Sequence, residues 1–344
     1  MLKPPPSGFT HGEIKMSRVT KSRLQIKRWL SVLLSAVLIP SAALAQTYPA
    51  KPIRIIVPFA AGGAVDVVAR AVGQRMSEQM ASPVIIENKP GASANLGAEL
   101  VAKAQPDGYT VLMGANGLAT NMTLFRNLGF DTTKDFAPVA RIGYAPLVLV
   151  VEASSPAKSL KDLIALAKAK PGNLNYGSAG NGQSGHLASE LFKLTTKIDV
   201  VHVPYKGGSP ALTDLMGGRL SFMIINPIEV VANIKSGRLR ALAVANPKRI
   251  AMLPDVPTFT EAGVPGYDAS VWWGLVAPAK TPKDIVAKLS SEALKALEDE
   301  GVKEKLSNLG AVVDPAGPEQ FGKFLKEEID KWAQVIKAAG IHAD

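Results

Sequence analysis

From residue 46 onward, short continuous apolar runs alternate with stretches whose apolar positions recur at helical spacing. The runs at 53–58, 84–88, 110–114, 147–151, 174–177, 200–203, 222–225, 242–245 and 275–277 predict strands. They are continuous rather than alternating, as in strands covered on both faces of a parallel sheet. Between them, Val65, Val68, Val72, Met76 and Met80 share one helix face, and so do Phe321, Leu325, Ile329, Trp332 and Ile336. Ser159-Leu160-Lys161-Asp162 and Thr281-Pro282-Lys283-Asp284 have the spacing of capping boxes, the second with Pro at the first helical position. Strands alternating with helices predict an α/β fold.

The first 45 residues break this rhythm. Lys21, Arg23, Lys27 and Arg28 precede an 11-residue apolar run at 29–39, about half of what spans a bilayer. Pro40 ends the run, and Ala43-Leu44-Ala45 has the small-x-small pattern of a signal-peptide cleavage site. We read 1–45 as an export signal cut after Ala45, with Met16 as an alternative start; the competing reading is a short membrane anchor. The mature chain is then expected to be exported to the periplasm.

Removing that segment also changes the charge. The chain of 344 residues carries 39 Lys and Arg against 29 Asp and Glu, a net of +10 that suggests a nucleic-acid binder. Seven of the bases and one acid lie in 1–45, so the mature part has 32 bases and 28 acids, only +4. No basic patch for a phosphate backbone is indicated. With 47% hydrophobic residues the chain can bury a core, and its length suggests two domains at about 100–200 residues each. The absence of cysteine excludes disulfides, thiolate metal sites and a thiol nucleophile.

Two strand-to-helix junctions are rich in glycine: 57–66, with Gly62 and Gly63, and 177–186, with Gly177, Gly180, Gly182 and Gly185. Ligands of open α/β sheets sit beyond the carboxyl ends of strands. There a helix N-terminus offers unpaired N–H groups and a positive dipole end, which suits an anion. Gly180, Gly182 and Gly185 also spell the dinucleotide fingerprint, but that motif needs an acid at the end of the following strand. Here Pro204-Tyr205-Lys206 occupies that end, and Asp199 precedes the strand. Gly182-Gln183-Ser184-Gly185-His186 lacks the last glycine of a hydrolase nucleophile elbow. His186, His202 and His342 have no metal-ligand spacing; His202 reads as structural, and His186 as either a ligand contact or a loop cap. We therefore expect no catalytic residues, no metal and no cofactor, and a binding protein rather than an enzyme.

The junctions belong to a longer set of motifs: Val57-Pro58-Phe59-Ala60-Ala61-Gly62-Gly63 with Asp66 and Ala69-Arg70; Glu87-Asn88-Lys89-Pro90-Gly91-Ala92; Pro106-Asp107-Gly108-Tyr109-Thr110; Tyr176-Gly177-Ser178-Ala179-Gly180-Asn181-Gly182; Val203-Pro204-Tyr205-Lys206-Gly207; and Arg240-Ala241-Leu242-Ala243-Val244. In this order they resemble the Bug family, the extracytoplasmic receptors of tripartite tricarboxylate transporters. The resemblance implies a two-lobed periplasmic-binding-protein fold. Each lobe would be a mainly parallel sheet with flanking helices, and a double crossover would join them. Lobe 1 would be 46–146 plus 271–344, and lobe 2 would be 147–270.

The resemblance further implies a monomer that closes on a small organic acid, a mono- or dicarboxylate, and delivers it to integral membrane transporter subunits. Ligand-binding roles fall on Phe59, Ala60, Gly62, Gly63 and Asp66 from one lobe. From the other they fall on Ser178, Ala179, Gly182, Gln183, Ser184, Tyr205 and Asn226. Ordered waters between the loops hold the acid in some family members, and one such water would let Asp66 face a ligand carboxylate without direct repulsion. Asp66 also reads as an acid at a helix N-terminus. Two departures from the family pattern, Leu118 and Ile224-Ile225-Asn226, imply an apolar wall and a ligand with an apolar or aromatic body, with Trp272 or Trp273 stacking on it. A periplasmic sensor without transport is the second reading, and a periplasmic enzyme the third.

Overall fold

The computed structural model describes residues 1–4, 8, 48–205 and 207–343. The export-signal reading and its cleavage position lie outside the described residues. Tyr48–Asp344 make up one compact unit. Its first part runs β1 (Ile53–Val57), α1 (Ala64–Met80), β2 (Val84–Asn88), α2 (Asn95–Ala102), β3 (Thr110–Gly114), α3 (Gly117–Leu124), α4 (Thr132–Asp135) and β4 (Phe136–Pro146). The middle part is β5 (Val148–Glu152), α5 (Leu160–Ala169), β6 (Asn175–Ser178), α6 (Ser184–Thr196), β7 (Val201–Pro204), α7 (Gly208–Met216), β8 (Phe222–Ile225), α8 (Pro227–Lys235) and β9 (Leu239–Val244). The last part is β10 (Ser270–Pro278), α9 (Lys283–Ala296), α10 (Glu300–Asn308), β11 (Val312–Ala316) and α11 (Pro318–Ala339).

The strands form two sheets, β11-β4-β10-β3-β1-β2 and β7-β6-β8-β5-β9, flanked by helices as expected of an α/β fold. The sheets are mixed rather than mainly parallel. β1, β2 and β3 run together, and so do β6, β7 and β8, but β10 is antiparallel to both β3 and β4, and β5 to both β8 and β9. β5 and β10 each follow a crossover, and β11 adds a further antiparallel pairing with β4. Leu147 alone separates β4 from β5, so the chain passes between sheets within one residue. It returns through 245–269 beside that point: Leu147 N–H donates to Ala269 O at 3.1 Å, and Ala245 N–H to Leu147 O at 2.8 Å.

β4 and β11 are absent from the apolar-run reading. Pro138, Gly143 and Pro146 interrupt the first, Pro315 the second, and prolines and glycines mask a strand pattern. The helix faces follow the periodicity: Val65, Val68, Val72 and Met76 are buried in α1, and Phe321, Leu325, Trp332 and Ile336 in α11. The first capping box forms, with Asp162 N–H on Ser159 Oγ at 3.2 Å and Ser159 N–H on Asp162 Oδ2 at 2.9 Å. The second does not. Pro282 is itself the N-cap of α9, and the Thr281 hydroxyl donates to Pro278 O at 2.7 Å instead.

Candidate functional site

The β1–α1 junction turns on Gly62, whose φ of +83° is left-handed. Gly62 N–H donates to Asp66 Oδ2 at 2.8 Å, and Arg70 Nε donates to the same oxygen at 2.9 Å. Asn88 Nδ2, at the end of β2, donates to Asp66 Oδ1 at 2.9 Å and to Phe59 O at 3.1 Å. Burial alone would raise the Asp66 pKa, but the bonds from Arg70, Gly62 and Asn88 outweigh it and hold the carboxyl below its ordinary value. Asp66 therefore ties the loop to β2.

The β6–α6 junction repeats the plan with a different side chain. Gly182 has φ +73°, and its N–H donates to His186 Nδ1 at 3.0 Å. That nitrogen must be unprotonated, and burial, with His202 and Lys193 nearby, pushes the His186 pKa down to about 3. The His186 ring stacks on His202 with centroids 3.8 Å apart, and Tyr176 stacks against both, 4.8 Å from His202 and 6.3 Å from His186. Parallel register explains the contact with His202, since Tyr176 lies opposite it. The Ser178 hydroxyl lies 3.1 Å from Gly180 O and hydrogen-bonds His202 Nε2 at 2.7 Å. Below them Glu190 accepts from Tyr176 and Lys193 at 2.5 and 2.8 Å.

Two further loops complete the site. After β2, Gly91, Ala92, Ser93 and Ala94 all have positive φ (137°, 47°, 54° and 74°). Three consecutive left-handed non-glycine residues cost on the order of 1–3 kcal/mol each, and such strain persists where surrounding contacts enforce it. Asn121 Nδ2 enforces it here by donating to Ser93 O at 2.9 Å. After β3, Asn116 anchors α3 to β10 by donating to Ser270 O at 2.8 Å and accepting Trp272 N–H at 3.1 Å.

These loops enclose a cavity of about 370 Å³ between the two sheets. Phe59, Ala60, Ser93, Ala94, Asn116 and Thr120 line it from one side, and Asn181, Gly182, Gln183, Ser184 and Leu187 from the other, with Leu124, Phe125, Trp332 and Ala343 completing the wall. Among the described residues none of the lining side chains is charged. The wall therefore offers hydrocarbon, hydroxyls, amides and the N-terminal turn of α6, a setting for an anion held by neutral donors. No group of three or more His, Asp or Glu among the described residues could hold a metal ion.

Of the residues expected from the sequence, the structure brings Phe59, Ala60, Gly182, Gln183 and Ser184 together on the cavity wall. Gly62, Gly63, Asp66, Ser178 and Ala179 are not on the wall: Asp66 and Ser178 are buried beside it in the loops, and Gly62, Gly63 and Ala179 are exposed. The Tyr205 hydroxyl donates to Asp214 Oδ2 at 2.7 Å, and Asn226 caps α8 by accepting Ile228 N–H at 3.1 Å. Trp272 and Trp273 do not stack in the cavity; both are fully buried within the cores flanking the first sheet. Leu118 and Ile224 are core residues as well. The apolar part of the wall comes instead from Leu124, Phe125, Leu187 and Trp332, which belong to helices α3, α6 and α11 or border them. The helical spacing of 321–336 marked Trp332 as apolar-face, but nothing local distinguished a cavity wall from a core position.

The same architecture occurs in known proteins. Residues 68–341 match the model of the tripartite tricarboxylate transporter family receptor, TctC. The structure titled "R. palustris Rpa4515 with adipate" is 38% identical, with a TM-score of 0.74 over 86% of this chain and 99% of that one. MatC from Rhodopseudomonas palustris with bound malate is 35% identical, with a TM-score of 0.70 over 84% and 100% of the two chains. The periplasmic binding protein BugD is 33% identical, with a TM-score of 0.71 over 86% and 100%. The motif resemblance, the two-sheet fold and the family match agree, and the chain belongs to the tripartite tricarboxylate transporter family receptors, Bug proteins among them.

Proposed function

We propose that the chain is a periplasmic receptor that captures a small organic carboxylate with an apolar body and delivers it to the membrane subunits of a tripartite transporter. The observation that carries this is the uncharged cavity, walled by loops from both sheets and by the first turn of α6. A carboxylate there is stabilised by N–H and hydroxyl donors in a partly enclosed, low-dielectric setting, where such bonds are strong. Waters bridging the two glycine loops would carry part of the load, and Asp66 would act through the loop. The adipate- and malate-bound relatives support the ligand class.

The lobes, 46–146 plus 271–344 and 147–270, would close about Leu147, whose bonds to Ala245 and Ala269 pin both crossovers at one point. The role is capture and presentation, without bond chemistry. Export would follow from cleavage after Ala45, leaving a soluble monomer; no helix among the described residues is long and apolar enough to cross a membrane.

Thermal-shift measurements on residues 46–344 with aliphatic, aromatic and hydroxylated acids test the reading. A ligand at about 100 times its Kd adds about 2.7 kcal/mol of stability, an easily read shift. Acids with an apolar body should raise Tm most. A preference for cations, sugars or nucleotides would refute the proposal.

A further inference from the structure

One stretch of the cavity wall comes from a part of the chain that none of the loop motifs marks. Trp332 lies on α11, buried yet lining the cavity. Its indole Nε1 donates to Glu328 Oε2 at 2.8 Å, and the Trp272 indole donates to the same oxygen at 3.2 Å. Lys331 pairs with the other Glu328 oxygen. With its one polar atom engaged, Trp332 can offer the cavity only hydrocarbon, and the buried Glu328 fixes its ring in place.

After α11 the chain reverses at Gly340, whose φ is +63°. Ile341 N–H returns to Ile336 O at 3.1 Å, and Ala343 N–H docks on Leu124 O, at the end of α3, also at 3.1 Å. Ala343 thereby reaches the cavity wall beside Leu124. Leu124 in turn faces the β6–α6 loop, because a Cβ on Gly182 would stand 2.9 Å from its Cδ1. Helix α11 and the reversal after it thus brace the place where the two lobes meet.

We propose that Trp332 and Ala343 are specificity-determining residues that gauge the size of the ligand's apolar body. The inference rests on the carboxylate-receptor reading and adds which residues set the ligand's bulk. The loops supply donors for a carboxylate, which every acid of the class shares, so loop contacts cannot separate a short acid from a long one. A rigid hydrocarbon wall can, because one methylene too many must displace packed atoms.

Calorimetry on the mature wild type, Ala343→Leu and Trp332→Phe with the straight-chain diacids from succinate to suberate, and with benzoate, tests this. Ala343→Leu should shift the preference toward shorter acids, weakening the longest that binds by about tenfold and the shortest by less than about twofold. Trp332→Phe, with a smaller ring, should shift it the other way. Equal weakening of every acid, or an unchanged size profile in Ala343→Leu, overturns the gauge and leaves the receptor reading standing. A wild type that binds none of the acids overturns both. Should Trp332→Phe fail to fold, Ala343→Leu decides alone, because its site lies at the end of the chain reversal, partly exposed at the edge of the core.

Discussion

The two glycine loops solve one problem with opposite electrostatics. In each, a left-handed glycine points its N–H back to a side chain four residues on, in the first turn of the following helix: Gly62 to Asp66 and Gly182 to His186. The first acceptor is an anion, balanced by Arg70 and Asn88. The second is a neutral imidazole held between a helix turn and the stacked ring of His202. A loop that must present N–H groups to an anion can be braced from behind by either chemistry, provided the brace does not face the cavity. The pair also differs in what acid does to it. Asp66 keeps its bonds until its own carboxyl protonates, whereas His186 is held neutral against a tendency to protonate in the unfolded chain.

The largest test removes the conformation both loops share. Gly182→Leu places a side chain at φ +73° and into Leu124, and an L-residue in this region costs about 1–2 kcal/mol before any clash. Ligand affinity should fall by at least about a hundredfold in calorimetry. Wild-type affinity in a folded variant would move the site elsewhere.

Next comes the anionic brace. Asp66→Ala removes the acceptor shared by the Gly62 N–H, the Asn88 amide and the Arg70 guanidinium, and each such bond contributes about 0.5–1.5 kcal/mol. Tm should fall, and affinity should drop by about tenfold. Tighter binding would show instead that the carboxylate acts on the ligand chiefly by repulsion.

The imidazole brace is sharpened by pH. His186 titrates near 6.5 when unfolded and at about 3 when folded, so between those values the unfolded state holds more protons. Its contribution to stability is complete above about pH 6.5 and is lost progressively toward pH 3. Asp66, with its folded pKa below the ordinary 3.8, contributes above that value and fails only in stronger acid. His186→Phe keeps a ring on His202 and deletes the acceptor. It should weaken binding by about threefold and flatten the fall of Tm between pH 6 and pH 4 relative to wild type. An unchanged slope would remove His186 as the titrating group.

The smallest effect is expected one layer out. Asn226→Ala loses an N-cap worth about 1 kcal/mol, and affinity should stay within about twofold, since the side chain is spent on Ile228 N–H. A larger loss of affinity would bring Asn226 back to the ligand.

The alternation of strands and helices was legible because apolar runs and helical spacing are local properties. Most strands fall within a few residues of their runs, while β4 escaped because its prolines and glycine break the run, and its pairing with β10 needs register shifts after Trp273 and Leu275. The glycine loops were legible for a related reason: a left-handed turn admits few residues other than glycine, so Gly62 and Gly182 announce themselves. Even the motif around 87–92 was visible, but not that Ser93 and Ala94, just past it, would be held left-handed by Asn121 from another helix.

What the sequence by itself determined is most of the elements, without β4 and β11, the two glycine-rich loops that follow strands, and the family. Only the tertiary structure decided which side chains those loops turn inward and which they spend on bracing. Asp66 and His186 each looked able to meet a ligand, and both are occupied by an N–H four residues away. In the sequence Trp272 reads as a stacking partner for the ligand and Trp332 as an apolar helix-face residue, yet Trp272 is sealed under Phe321 and Phe324 and Trp332 lines the cavity. The reason is physical: helical and strand periodicity reports which face of an element is apolar, whereas a cavity is a place where apolar faces from α3, α6 and α11 fail to meet, and that depends on the packing of all three at once.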